Sequence, residues 1–224
     1  MKENIILGII PSMVKLNARE LRRLQTTDYR LQQEIGSPLR SEASRKTVDG
    51  RQNDIYIILD NVLDTYNVGS IFRLAESTGA KKVYLCGTTT TPPNPRIKKA
   101  SINTTEIVEW SYKETAVLAI KELKQQFANR LPTTDYRGSR KTVDRRHNIQ
   151  VVAIEQSEKS VPYDIFEYKL PIALIVGNET YGVSQEVLDL CDGVVELPMY
   201  GINISLNVMV SLGIILYKVL EKLK

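Results

Sequence analysis

Three short stretches of the chain carry side chains able to orient a ligand, pair its charge or hold a loop close to it. The first is NVGSIFR, residues 67–73. Asn67 and Gly69 open a helix directly after an apolar strand, which suits Asn67 to an N-cap. Arg73 follows one and a half turns later, where its guanidinium either snorkels to solvent or offers a planar fork to a phosphate. The second is VGNETYGVS, residues 176–184. Gly177 and Gly182 allow a sharp turn and a close approach to a ligand, and Glu179 between them is a loop acid, a cap or a site carboxylate. The third is LPMYGINISLN, residues 197–207. Pro198 ends a strand, Gly201 permits a tight loop, and Ser205 is placed to cap the terminal helix. Asn207, two residues further in, has no such local use and suits a substrate or a neighbouring loop.

Several familiar chemistries lack their residues. There is no GxGxxG or GxxxxGK phosphate loop, no HExxH and no paired CxxC. Metal is not expected. The single histidine, His147, sits in a basic segment with no nucleophile placed beside it. Cys86 and Cys191 lie in apolar surroundings far apart and read as buried free thiols. Chemistry must then come from Arg, Asn, Glu, Ser and backbone groups.

The elements that position these stretches follow from hydrophobic periodicity. DIYIILD (54–60), KKVYLCG (81–87), NIQVVAIE (148–155), PIALIVG (171–177) and DGVVELP (192–198) read as strands, with a short one expected at TEIVEW (105–110). Helices are expected over about 69–78, 113–127, near 184–191, and from Ser205 onward. Prolines at 92, 93 and 95 make 88–96 a loop. Alternating strands and helices predict an α/β fold, a mostly parallel sheet with helices on both faces. Ligands bind such sheets beyond the carboxyl ends of the strands, where all three stretches fall.

The 224 residues suffice for one sizeable core, and the longest apolar runs fall short of a membrane span. A cytoplasmic protein is expected. The net charge of +4 is unevenly spread: residues 15–53 and 130–148 each carry a local +4, leaving −4 for the remainder. Basic charge concentrated in this way suits contact with phosphate backbones, or simply two solvated segments. The two segments are also related. TTDYR occurs at 26–30 and 133–137, and SRKTVD at 44–49 and 139–144, each pair preceding a β-branched run. Two unequal copies do not make a stacked array.

Taken together, the three stretches resemble the motifs of the SpoU–TrmH branch of the SPOUT RNA 2′-O-ribose methyltransferases. These are Asn67-x-Gly69-x-x-x-Arg73, then Gly177-x-Glu179-x-x-Gly182, then Leu197-Pro198-Met199 with Gly201 and Ser205-Leu206-Asn207. Order, spacing and strand-end placement agree over roughly residues 54–222. The resemblance implies a methyltransferase domain at 54–224 with a C-terminal trefoil knot, and a short basic helical N-terminal extension at 1–53 that docks RNA. It implies S-adenosylmethionine as cofactor, bound largely by backbone at Gly177, Asn178, Glu179 and Gly182, at Leu197, Met199 and Gly201, and at Ser205 and Leu206. It implies a homodimer, and catalytic roles for Arg73, Asn67, Glu179, Ser205 and Asn207. Arg73 would activate the ribose hydroxyl beside an RNA phosphate. Arg19, Arg22 and Arg23 in the extension would contact RNA, as would Arg137, Arg140, Lys141, Arg145 and Arg146 in a basic insert at about 129–148, where the family pattern has a short turn. The substrate implied is tRNA or, with the same chemistry, rRNA. A non-catalytic RNA-binding protein on the same fold and a base methyltransferase of a more distant branch are the competing readings.

Overall fold

The computed structural model describes residues 53–129 and 148–221. The N-terminal extension and most of the basic insert, with all eight basic residues just named for RNA contact, lie outside the described residues.

The long apolar runs become the centre of a sheet. The strands are β1 (Asn53–Asp60), β2 (Ala80–Cys86), β3 (Trp110–Lys113), β4 (Gln150–Ile154), β5 (Val161–Pro162), β6 (Ile172–Val176) and β7 (Gly193–Glu196). Their order is β3-β2-β1-β6-β4-β7-β5, and every pairing is parallel. Interleaved are α1 (Thr65–Thr78), α2 (Pro95–Ser101), α3 (Ala116–Ala128), α4 (Gln185–Leu188) and α5 (Val208–Glu221). Side chains of β1 alternate between two cores. Ile55, Ile57 and Leu59 pack with α1 and α5, while Tyr56 and Ile58 pack with α3. The parallel sheet covered on both faces is thus as the periodicity predicts. Each fully buried aliphatic chain contributes about 1.5–3 kcal/mol, so the central strands β1 and β6 hold their carboxyl ends firmly. Between them the strand order reverses, where such a sheet is expected to leave a crevice. The cavity of this protein opens instead on the other side of β6, at the ends of β4 and β7.

Local boundaries differ from the sequence reading in five places. Residues 105–110 do not form a strand. Thr104–Glu106 is a 3-10 turn in which the Thr104 carbonyl accepts from Ile107 and Val108, and the strand starts only at Trp110. The loop proposed at 88–96 already contains the start of α2: Asn94 caps it by accepting from Arg96 N and Ile97 N, with Pro95 in the first turn, where its missing N–H costs nothing. The helix near 184–191 is a single turn, Gln185–Leu188. Finally, α1 starts four residues early, capped by Asp64, and α5 starts three residues late. These last two bear directly on the site.

Candidate active site

Because β1 and β6 pair in register through Leu59↔Val176, the loops leaving them emerge side by side. Glu179 reaches across from the β6 loop. One carboxylate oxygen accepts from Leu63 N at 2.9 Å; the other accepts from Asp64 N at 3.0 Å and from Asn67 Nδ2 at 3.0 Å. Those backbone donors lie at the entrance to α1, where no intrahelical acceptor exists, and Asp64 itself caps the helix by accepting from Tyr66 N. Burial pushes the Glu179 carboxyl up, but the donations from Leu63, Asn67 and Asp64 outweigh it and hold the group below its ordinary 4.5. It is a carboxylate at neutral pH.

Asn67 is therefore not the N-cap. It sits inside the first turns of α1, buried, with its amide spent on two distant partners. Its Nδ2 donates to Glu179, and its Oδ1 accepts from Asn207 Nδ2 at 3.0 Å. Asn207 in turn accepts from Met209 N at 2.9 Å and Val210 N at 3.4 Å through Oδ1, so it is the cap of α5. Ser205 lies outside the helix, and its hydroxyl bonds to no described residue. The expected division of labour between these two is thus reversed. A single polar relay, Glu179–Asn67–Asn207, ties together the β6 loop, α1 and α5.

The glycine-bordered turn after β6 is built by contact. Asn178 and Gly182 exchange backbone hydrogen bonds, both 2.9 Å. A Cβ on Gly177 would lie 2.1 Å from the Gly182 carbonyl carbon, and Gly182 has φ 71 with Glu155 Oε2 against its open face. Asn178 Oδ1 accepts from Thr180 N and Tyr181 N, while its Nδ2 donates to the Asn61 carbonyl at 2.9 Å. Beside this turn lies a cavity of about 530 Å³, within the size range of small-molecule sites. Gly177, Asn178, Glu179 and Gly182 line it, with Leu197, Met199, Ser205, Leu206 and Asn207. Gly201 does not; it is exposed, with nothing near its Cα-side space. Arg73 and Asn67 are also not in the lining. Arg73 is exposed and makes no hydrogen bond or ion pair with a described residue. Gly69 serves packing: a Cβ there would stand 2.6 Å from Ala100 Cβ of α2.

Comparison with known proteins assigns the chain to a family. The profile of the SpoU rRNA Methylase family matches residues 54–144 and 131–217. The chain belongs to the SpoU methylase family. A tRNA (guanosine(18)-2′-O)-methyltransferase of Aquifex aeolicus is 32% identical over 177 residues, covering 78% of this chain and 72% of the relative. Among solved structures, an AdoMet-bound rRNA methyltransferase from Sinorhizobium meliloti aligns with TM-score 0.62 and 26% identity, covering 78% of this chain and 58% of that one. The SpoU methyltransferase AviRb of Streptomyces viridochromogenes, solved with AdoMet, aligns with TM-score 0.64 over 78% of this chain and 60% of its own; at 22% identity that likeness is one of fold.

In this SpoU methylase the sequence reading missed two acids that close the β-strand ends. Asp60, buried, accepts from Ser184 N at 3.0 Å and Ser184 Oγ at 2.7 Å, pinning the far side of the β6 turn. Glu155 accepts from Val183 N at 2.7 Å and lines the cavity. Both were visible as an acid ending an apolar run, in DIYIILD and NIQVVAIE. Among the described residues no group of three or more His, Cys, Asp or Glu side chains is placed to hold a metal ion. No described helix is long and apolar enough to cross a membrane.

Proposed function

We propose that this protein transfers a methyl group from S-adenosylmethionine to a ribose 2′-hydroxyl in tRNA. The observation that carries this is the Glu179–Asn67–Asn207 relay at the rim of the backbone-walled cavity. The cavity supports the cofactor assignment: the Gly177–Gly182 turn brings close backbone to its wall, and no charged loop of the nucleotide-phosphate type is needed for a nucleoside. Gly177 to Gly182, Leu197, Met199 and Leu206 would hold S-adenosylmethionine, which would supply an electrophilic methyl group. The chain's own residues handle the acceptor. Asn207 lines the cavity and is held by Asn67, which Glu179 fixes in turn, so the ribose meets a fixed amide rather than a mobile one. As the ribose oxygen bonds to the methyl carbon, the methyl–sulfur bond would break and leave S-adenosylhomocysteine, while the hydroxyl proton would pass to solvent. Arg73 supplies positive charge to that oxygen and to the adjacent RNA phosphate. Guanidinium is not deprotonated in proteins, so an electrostatic role fits better than proton abstraction. The hydroxyl of Ser205, outside the helix and on the cavity wall, is available to the ligand.

We assign tRNA rather than rRNA because the 32%-identical Aquifex relative carries that activity in its name. The same reading gives a knotted C-terminal region, RNA docking by the basic extension and insert, and a cytoplasmic site of action. It also gives a homodimer, supported by a partly exposed apolar stripe on α5. Val210, Ile214 and Tyr217 recur at helical spacing with 40%, 38% and 56% exposure. The test is transfer of labelled methyl to unmodified tRNA and to rRNA by wild type, Arg73→Lys and Arg73→Ala. Label in tRNA, strongly reduced in both variants, is the expected result. A fully active Arg73→Lys protein shows that the planar guanidinium is not needed, a fully active Arg73→Ala protein removes Arg73 from the mechanism, and label confined to rRNA overturns the substrate.

A further inference from the structure

A second concavity, separate from the cofactor cavity, lies at the carboxyl ends of the outer strands β2 and β3. It is lined by Thr89, Thr90, Thr91, Asn94, Trp110 and Tyr112. The two aromatics stand two residues apart on the edge strand β3, so they share one face of the sheet. Tyr112 is held in place by donating its hydroxyl to the Gly87 carbonyl at 3.1 Å, yet it remains about half exposed. No described residue accepts from the Trp110 indole. After the groove's Asn94, α2 presents the exposed cations Arg96, Lys98 and Lys99, of which, among the described residues, only Lys98 has a carboxylate neighbour, Glu106 at 3.9 Å. A half-exposed tyrosine ring beside a partly buried tryptophan, with hydroxyl and amide groups and adjoining positive charge, is a combination that can bind a nucleotide: the ring stacks, the polar groups meet the base edge, the cations meet the backbone.

The groove is also stitched to the catalytic loop. Thr89 Oγ1 accepts from Val62 N at 3.0 Å, and the next two residues, Leu63 and Asp64, donate to Glu179. Thr88 N and Oγ1 both donate to Asn61 Oδ1. Two to three strand spacings separate the groove from the β6 end, on the order of 10–14 Å, so the nucleotide held here is not the one being methylated.

We propose that this groove binds an unpaired nucleotide of the RNA substrate flanking the methylated one, with Trp110 and Tyr112 as its stacking surface. The inference rests on the RNA-methyltransferase reading above. Trp110 is the single tryptophan of the chain, so its fluorescence reports on this groove alone. The experiment titrates the full chain with an unmodified tRNA transcript, following Trp110 fluorescence and RNA anisotropy together, with AMP and S-adenosylmethionine alone as further titrants. The expected result is quenching that saturates with RNA binding and is absent with AMP or S-adenosylmethionine at the same concentrations. Tyr112→Ala and Trp110→Phe are expected to raise the KM for tRNA, Tyr112→Ala by at least about fivefold and up to about a hundredfold, while S-adenosylmethionine affinity stays within twofold. RNA binding without quenching, together with an unchanged KM in Tyr112→Ala, overturns the groove assignment and leaves the methyltransferase reading standing. Quenching by S-adenosylmethionine alone gives the groove to the cofactor and also overturns it. Absence of RNA binding and methyl transfer in wild type overturns both.

Discussion

Glu179→Gln is the sharpest single perturbation of the relay. The carboxylate accepts three N–H donors, with Leu63 on one oxygen and Asp64 with Asn67 on the other. An amide has only one acceptor oxygen. If that oxygen faces Asp64 and Asn67, the new amide nitrogen faces the Leu63 N–H, donor against donor; the flipped amide spoils two contacts instead. Losing a charge-assisted bond and leaving a donor unmet costs about 1–3 kcal/mol, toward the lower end because Glu179 is exposed. For a protein of this size that corresponds to a fall in Tm of about 2–8 °C. The greater consequence is for Asn67 and the start of α1, whose placement depends on this acceptor. A loss of about 1–2 kcal/mol of transition-state positioning lowers kcat by roughly 5–30-fold. The pH dependence has a definite sign. Since the folded carboxyl titrates below its ordinary 4.5, its contribution to stability is present above that value and is lost as pH falls through the lower folded value. The Tm difference between wild type and Glu179→Gln is therefore largest at neutral pH and narrows in acid. Thermal melts from pH 3 to 8, paired with methyl-transfer kinetics at neutral pH, check this. A variant with wild-type Tm and kcat at neutral pH would show that the three contacts are incidental.

Asn207→Asp keeps an oxygen to cap Met209 and Val210 but sets a carboxylate against Asn67 Oδ1, so the melt is expected within about 1 kcal/mol of wild type while methyl transfer falls; equal losses in both would reduce Asn207 to a cap. Gly177→Ala puts a Cβ 2.1 Å from the Gly182 carbonyl carbon, which no rotamer relieves, and calorimetry should show loss of S-adenosylmethionine binding with the rest of the sheet still folded. Burial pushes the thiols of Cys86 and Cys191 to about 12, leaving roughly one thiolate in ten thousand at pH 8. Cys191 is only part-buried, not the buried thiol expected from sequence. Alkylation by iodoacetamide at pH 8 is accordingly expected to be slow at both positions in the native protein, and prompt native labelling of Cys86 would contradict its burial.

Burial and secondary-structure type were legible from sequence because they depend on local periodicity. The unbroken runs IYIIL and IALIV belong to strands buried on both faces, and they form the centre of the parallel sheet. The spacing of the three motif stretches likewise placed them at strand ends, and eight of the nine residues assigned to the cofactor line one cavity. Cap identity was not legible in the same way. Asn67 looks like an N-cap only if nothing else claims its amide, and the two groups that do, on Glu179 and Asn207, lie 112 and 140 residues away along the chain. Once Asn67 is claimed, Asp64 takes the cap and α1 lengthens; once Asn207 is drawn toward Asn67, it caps α5 and Ser205 is released to the cavity wall. Hydrogen-bond partners of a polar side chain are chosen by what the fold brings within 3 Å, and sequence spacing carries no record of that choice.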